Sequence, residues 1–319
     1  MTASLRRALV TGCAGFIGSH LTESLLTDGL EVLGIDCFNN NYGRADKLSN
    51  LAHAQDWDEF QFVPLDLAAG DLRPLVEECD VVFHLAAEPG VRASWSERFE
   101  LYVRNNVLGT HQLLKALAED TDRRLVFASS SSIYGEAEAC PTAETAIPMP
   151  VSPYGVSKLT GEQLCHAYRA NHGLNFVALR FFSVYGPRQR PDMAFRRFCE
   201  AAISKKEITL FGAGTQTRDF TYVSDIVNAT RKAAIAEGPL GRFINVGGGS
   251  SASLLSTVNL LKEIHGGPVA LRHAEHQVGD VRDTGADTKL AEQLLGFRST
   301  TSLADGLVTQ YSWCRERRG

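Results

Sequence analysis

Two residues four positions apart, Tyr154 and Lys158 in Pro153-Tyr154-Gly155-Val156-Ser157-Lys158, open a helix-like pattern and so fall one turn apart on the same face. A free tyrosine, with a pKa of about 10, is a poor base at neutral pH, but a neighbouring ammonium favours its phenolate. Lys158 supplies that charge. Upstream, Phe127-Ala128-Ser129-Ser130-Ser131-Ser132-Ile133-Tyr134-Gly135 carries four consecutive hydroxyls away from the end of an apolar run. A hydroxyl placed there can donate to, and accept from, a substrate oxygen that is losing its proton. A tyrosine–lysine pair alone is common on surfaces, and a serine run alone is usually a solvated loop. The two in this order describe proton transfer at a bound hydroxyl.

A second constellation lies near the N-terminus. Thr11-Gly12-Cys13-Ala14-Gly15-Phe16-Ile17-Gly18 follows an apolar run and opens an amphipathic one. Its glycines let backbone amides approach a pyrophosphate at a helix N-terminus. The spacing is one residue wider than the usual dehydrogenase fingerprint, and a glycine trio alone is no more than a tight turn. Asp36, however, ends the next apolar run, 18 residues after Gly18. A carboxylate there accepts hydrogen bonds from both ribose hydroxyls and repels a 2′-phosphate, which selects NAD over NADP. Asp66-Leu67 ends the third run, where a carboxylate can meet the adenine amino group, and His84-Leu85-Ala86-Ala87 ends the fourth with small residues. The ends of three runs converge on one ligand.

The elements that must position these groups are legible as an alternation of short apolar and longer amphipathic stretches. Strands are predicted at Ala8–Thr11, Glu31–Asp36, Gln61–Leu65, Val81–Leu85, Leu125–Ser129 and Phe176–Phe182, with helices near Phe16–Thr27, Leu72–Glu78, Arg98–Leu117 and Pro153–Asn171. That order predicts an α/β fold, a doubly wound parallel (Rossmann) sheet with its ligand crevice at the carboxyl ends of the strands. Residues 1–182 read as the dinucleotide-binding domain. After Tyr185-Gly186-Pro187-Arg188-Gln189-Arg190-Pro191 the alternation weakens into shorter elements, among them Ile208–Phe211, Val223–Ile235 and Phe243–Val246. Residues 183–319 therefore read as a smaller C-terminal α/β region, partly interleaved with the first, that completes a cleft.

Bulk properties exclude other classes. A net charge of -5 gives no basic footprint for nucleic acid, and no apolar run approaches the roughly 20 residues of a membrane helix. The N-terminus lacks a signal-peptide pattern, so a cytosolic protein is expected. The seven cysteines are scattered, without a Cys-x-x-Cys pair or a His/Cys cluster at metal-ligand spacing, and read as reduced thiols with no metal bound.

Taken together, these motifs resemble the extended short-chain dehydrogenase/reductases, specifically the nucleotide-sugar 4-epimerases, and the resemblance covers nearly the whole chain. It implies Tyr154 and Lys158 as catalytic residues with Ser130 as the catalytic hydroxyl, Ser131 being the alternative, and matches Asn105 to the family's active-site asparagine. Related 4,6-dehydratases carry an acid pair where this chain has Ser131 and Ser132, which disfavours elimination. In epimerisation Tyr154 takes the sugar O4 proton, hydride leaves C4 for NAD, and the keto sugar turns over before hydride returns. Arg218, Asp280 and Arg282 resemble the family segments that hold the nucleotide, although the family varies at Arg282. Phe181-Phe182-Ser183-Val184-Tyr185-Gly186-Pro187-Arg188-Gln189-Arg190 looks like the corresponding stretch of UDP-glucuronate 4-epimerases, which implies Ser183 and Arg190 at a substrate carboxylate, with Arg92 a second candidate near the sugar. The rivals are a UDP-glucose or UDP-N-acetylhexosamine 4-epimerase, a UDP-glucuronate decarboxylase and a catalytically silent NAD-binding regulator. The resemblance also implies a homodimer through the long helices of the first domain.

Overall fold

The computed structural model describes residues 5–120, 122–238, 240–249, 251–275, 279 and 281–317. Among the described residues twelve strands are formed: β1 Arg7–Thr11, β2 Glu31–Asp36, β3 Phe60–Pro64, β4 Val81–His84, β5 Arg124–Ser130, β6 Asn175–Phe181, β7 Ser183–Tyr185, β8 Ile208–Phe211, β9 Thr217–Tyr222, β10 Arg242–Val246, β11 Ser251–Ser253 and β12 Leu271–Ala274. The helices are α1 Phe16–Thr27, α2 Arg44–Leu51, α3 Arg73–Glu77, α4 Phe99–Tyr102, α5 Gly109–Leu117, α6 Pro153–His172, α7 Ala194–Ile203, α8 Val223–Ile235, α9 Leu254–His265, α10 Lys289–Leu295 and α11 Leu303–Glu316.

Seven strands make one parallel sheet in the order β3-β2-β1-β4-β5-β6-β10, the doubly wound arrangement that the alternation predicts. The apolar runs are continuous because helices cover both faces. Ala8 and Val10 of β1 turn toward Leu21, Leu25 and Ile226 on one side, while Leu9 turns toward Leu113, Leu117 and Phe127 on the other. Thr11 pairs in register with both Ile35 and His84, so the ends of β1, β2 and β4 lie level. A third core, with Phe195, Phe198, Leu210, Leu261 and Leu307, supports α7, α9 and α11 in the C-terminal part. Among the described residues no helix is long and apolar enough to cross a membrane.

Two places depart from the periodicity. The helix read from Arg98 to Leu117 is continuous but not uniform, because Val103–Leu108 widens into a π-helix between α4 and α5. The widening lets Asn106 reach across to its neighbours: its Oδ1 accepts from the Glu88 amide at 2.6 Å, and its Nδ2 donates to the Glu88 carbonyl at 3.0 Å and to Ser157 Oγ at 2.9 Å. The second departure is α2, which the alternation does not reveal. It is short, polar and attached by ion pairs more than by an apolar face.

The start of α6 is set locally. Ser152 has extended backbone, its Oγ accepts from the Gly155 amide at 3.1 Å, and Pro153 takes the first helical position. Gly173, at φ 77°, ends the helix. Along it the buried face includes Lys158, Gly161, Glu162 and Cys165, and a Cβ at Gly161 would meet the Phe127 ring at 2.5 Å, so the helix lies directly on β5. Ser152→Ala is expected to lower the free energy of unfolding by about 1 kcal/mol, read as a lower urea midpoint at unchanged slope. An unchanged midpoint would show that the cap contributes nothing.

Candidate active site

Two clefts open at the carboxyl ends of the sheet and share a wall. The larger, of about 1110 Å³, runs from the β1–α1 turn past the ends of β2, β3 and β4 to α6. Gly12, Gly15, Phe16, Ile17, Gly18, Asp36, Asp66, Leu67, Leu85, Ala86, Ala87, Asn105, Tyr154 and Lys158, all read from the sequence, line it together. The turn has the shape a dinucleotide needs. Gly12 sits at φ 75°, and a Cβ on it would lie 2.8 Å from the Ala86 nitrogen. A Cβ on Gly18 would run into the Gly12 carbonyl oxygen. Gly15 caps α1 without a side-chain bond, which leaves the first amides of the helix to a ligand's phosphate.

Asp36 is buried at the end of β2. Its Oδ1 accepts from the Phe38 amide at 2.8 Å and from Lys47 Nζ at 3.2 Å, so Oδ2 is the oxygen left to a ribose. Lys47 also donates to Asn39 Oδ1 at 2.7 Å, and Asn39 Nδ2 to Glu88 Oε2 at 2.9 Å. Asn105 reaches the same oxygen at 3.5 Å. Burial pushes the Glu88 carboxyl up. None of Asn39, Lys47 and Glu88 stands out in the sequence, because the chain 37–47 has neither periodicity nor a motif; the run of polar residues directly after an acidic strand end is the one available signal. Asp66 is held differently, accepting from the Ala68 amide at 2.9 Å and from Arg104 at 2.7 Å, and the Arg104 guanidinium keeps its carboxyl below the usual range against a burial effect that raises it.

Tyr154, Lys158 and Ser130 stand where the clefts meet. Ser129 and Tyr154 line the first cleft, Ser131, Ser132 and Ser152 the second, and Ser130 lies between them. Burial pushes the Tyr154 phenol up, while its bond to the Ser130 hydroxyl and the Arg190 charge pull it down. The Ser130 Oγ also accepts from the Ser132 amide at 3.1 Å, which fixes its orientation. Burial lowers Lys158 to about 8, although Glu162 opposes this, and its Nζ lies 4.9 Å from the Phe127 ring centre. His84, at about 3 through burial and Lys158, stays neutral between Thr11 and Thr110.

The second cleft, of about 540 Å³, is lined by Ser131, Ser132, Ser183 and Arg218 among others. Arg218 donates to the carbonyls of Thr217, Val281 and Arg282 at 2.7, 2.6 and 3.0 Å, which ties β9 to residues 281 and 282. Arg190 belongs to the first cleft, close to Tyr154. Two of the residues expected at the substrate line neither cleft: Arg92 lies over the Phe211 ring at 4.2 Å, and Arg282 is exposed beside Asp283. Asp280 lies outside the described residues.

The profile of the NAD dependent epimerase/dehydratase family matches residues 8–247. The chain belongs to this family. "Uncharacterized UDP-glucose epimerase YtcB" of Bacillus subtilis is 44% identical over 308 residues, 96% of this chain and 97% of that one. The UDP-glucuronic acid 4-epimerase from Bacillus cereus, solved in complex with UDP-glucuronic acid and NAD, superposes with a TM-score of 0.95 at 42% identity, covering 98% of this chain and 99% of that one. MoeE5, solved with NAD and either UDP-glucose or UDP-glucuronic acid, superposes with a TM-score of 0.88 at 38% and 39% identity over 98% of this chain and 100% and 99% of that one. The chain is thus an NAD-dependent epimerase, and the first cleft is the place whose glycines and acidic strand end fit NAD.

Two outcomes follow. Asp36→Ala is expected to weaken NAD binding by about tenfold or more, since a charge-assisted bond is lost from a buried position; equal affinity in titration calorimetry would remove Asp36 from the cofactor site. The second concerns Lys158. Between about pH 8 and 10.5 the unfolded chain holds this proton more tightly than the folded one, so stability rises as pH climbs through that window. Below it the buried charge costs the folded state on the order of 3 kcal/mol. Lys158→Met is therefore expected to abolish turnover yet raise stability at pH 7 by about 1–3 kcal/mol, the gain shrinking by pH 10. A variant less stable than the parent at pH 7 in urea melts contradicts this.

Proposed function

We propose that the protein is a UDP-glucuronate 4-epimerase, which interconverts UDP-glucuronate and UDP-galacturonate through a transient 4-keto sugar. The observation that carries this reading is Arg190, a largely buried guanidinium on the wall of the NAD cleft, near enough to the Tyr154 phenol for its charge to oppose the rise that burial causes there. A fork of that kind beside the reacting carbon matches a C6 carboxylate bidentately. Ser183, on the wall of the second cleft, adds a hydroxyl. NAD, when bound, accepts the C4 hydride and returns it. Tyr154 takes the O4 proton and gives it back, Ser130 bonds the same oxygen as its charge changes, and Lys158 favours the phenolate.

A 4-keto uronate is a β-keto acid, which loses carbon dioxide most readily when its carboxylate bond aligns with the carbonyl π-system. An arginine that holds the carboxylate out of that alignment protects the intermediate. Ser131 and Ser132 offer no acid to expel a 6-hydroxyl, so a neutral UDP-sugar would not be dehydrated in this cleft either. In this reading residues 1–182 serve chiefly the cofactor and residues 183–319 the nucleotide sugar, with β10 returned to the edge of the first sheet. The apolar side chains exposed on two adjacent helical segments, Phe99 and Val103 on one and Val156 on α6, support a homodimer through that face. The seven free cysteines support a reducing, cytosolic setting.

A second reading, epimerisation of UDP-glucose, is favoured by one observation: the Arg190 fork already holds a carboxylate of the chain itself, Asp192. The test is Arg190→Ala. On the uronate reading the KM for UDP-glucuronate rises by about 10- to 100-fold, the loss expected for a hydrogen-bonded charge pair, and that for UDP-glucose by less than about threefold. Equal effects on both sugars, or a parent enzyme that prefers UDP-glucose, would establish the neutral-sugar reading instead.

A further inference from the structure

Arg190 engages Asp192 side-on: Nε donates to Oδ1 at 3.0 Å and Nη2 to Oδ2 at 2.9 Å. This is the geometry in which a guanidinium meets any carboxylate, a substrate's included. The two residues sit on one turn, closed by the Met193 amide donating to the Arg190 carbonyl at 3.1 Å. The chain just before the turn is pinned. Arg188 pairs with Glu23 at 2.8 Å, and the Gln189 side chain donates to the Val184 carbonyl at 3.0 Å while accepting from the Arg196 amide at 2.9 Å and from Gln310 at 2.8 Å. The partners differ in freedom. The Arg190 side chain is 17% exposed and that of Asp192 is 56% exposed. Arg190 is thus fixed in the cleft wall, whereas Asp192 can swing into water about its own side-chain torsions without moving the backbone.

We propose that Asp192 is a specificity-determining residue, an internal carboxylate that occupies the Arg190 fork until a uronate displaces it and that stays in place when the sugar is neutral. The proposal rests on the uronate reading of Arg190. Its physical basis is that a guanidinium in a largely dry wall is costly without a counter-charge, and the exchange keeps it paired in every state. A uronate must compete with Asp192, which weakens its binding. A neutral C6 hydroxymethyl meets a closed ion pair rather than a bare cation, which makes it tolerable. A contrary geometry, in which Asp192 remains and braces the guanidinium for a carboxylate on the Nη1 side, predicts the opposite sign, so the direction of one measurement separates the two.

The measurement is the KM of the NAD-loaded Asp192→Asn enzyme for UDP-glucuronate and for UDP-glucose. A half-exposed ion pair is worth little, so the expected change is modest: KM for UDP-glucuronate falls by about two- to fivefold, and KM for UDP-glucose stays level or rises. Asp192→Ser, which removes the charge with a smaller side chain, is expected to behave alike. UDP-glucose carries the same diphosphate and so controls for the general loss of negative charge; a fall shared equally by both sugars would overturn the proposal. So would an unchanged or raised KM for UDP-glucuronate in a background where Arg190→Ala is selective for the uronate. Should Arg190→Ala impair both sugars alike, the uronate reading falls and this proposal falls with it.

Discussion

Beneath the first turns of α6 lies a buried ion pair on which the positions of Tyr154, Lys158 and the serine segment depend. Arg180 of β6 donates to Glu162 of α6 through Nε at 2.9 Å and Nη2 at 2.8 Å, with side chains 5% and 0% exposed. Ser129, at the end of β5, donates to the same carboxylate at 2.6 Å. Arg180 also donates to the Tyr134 hydroxyl at 2.7 Å, which in turn donates to Asn245 of β10 at 2.7 Å. One network thereby joins α6, the serine segment and three adjacent strands. Such a pair adds little net stability compared with a well-packed apolar alternative, but removing one partner strands a charge, so the geometry it imposes is hard to relax. Glu162 also faces Lys158 and opposes the loss of its proton by burial, which links the position of the helix to the charge of the residue beside Tyr154.

The other side of the shared wall is built on different terms. Arg218 holds backbone carbonyls of the 281–282 segment, and Arg190 holds an exposed carboxylate. These are contacts that a ligand can exchange for its own, whereas the Glu162 pair is out of reach. An enzyme that oxidises a sugar, lets it turn over and reduces the other face needs this division. The groups that move protons must not move, and the walls around the sugar must yield. The α2 helix spans both parts: Lys47 touches Asp36 while its neighbour Asp46 accepts from Arg196 at 3.1 Å, next to the pinned turn that presents Arg190.

The sheet and its first helices were legible because parallel strands covered on both faces must be apolar throughout, and a glycine turn followed by an acidic strand end has few other uses. Tyr154, Lys158 and the serines were legible because they lie within a few residues of one another on elements with strong local signals. What stayed hidden depends on contacts between residues far apart in sequence or in irregular chain. Lys47 meets Asp36 across a loop without periodicity. Asn105 was readable as a cleft residue, but the bridging role of its neighbour Asn106 comes from a widening of the helix that no propensity encodes. Arg92 has the type of a ligand, and no local pattern shows that its guanidinium lies over the ring of Phe211, a residue of the other region.

The π-helical stretch at 103–108 has a consequence for how such a chain can change over time. It is in effect one surplus residue stored inside a helix, so removing a residue there would let the stretch close into ordinary α-helix with the faces before and after it still pointing as they do. Phe99 and Tyr102 would keep the directions they hold relative to Leu113 and Leu117, and the change would fall on Asn106, inside the stretch. Tyr102, which donates to the Pro89 and Gly90 carbonyls at 2.9 Å and sets its ring edge-on to Tyr154, would stay in place, whereas Asn106 would lose its reach to Glu88 and Ser157. Loops such as 37–43 can gain or lose residues and leave the sheet in register. This helix can lose a residue and keep its faces but not the bridge that Asn106 makes, so in descendants of this chain the bulge should last as long as that bridge is needed.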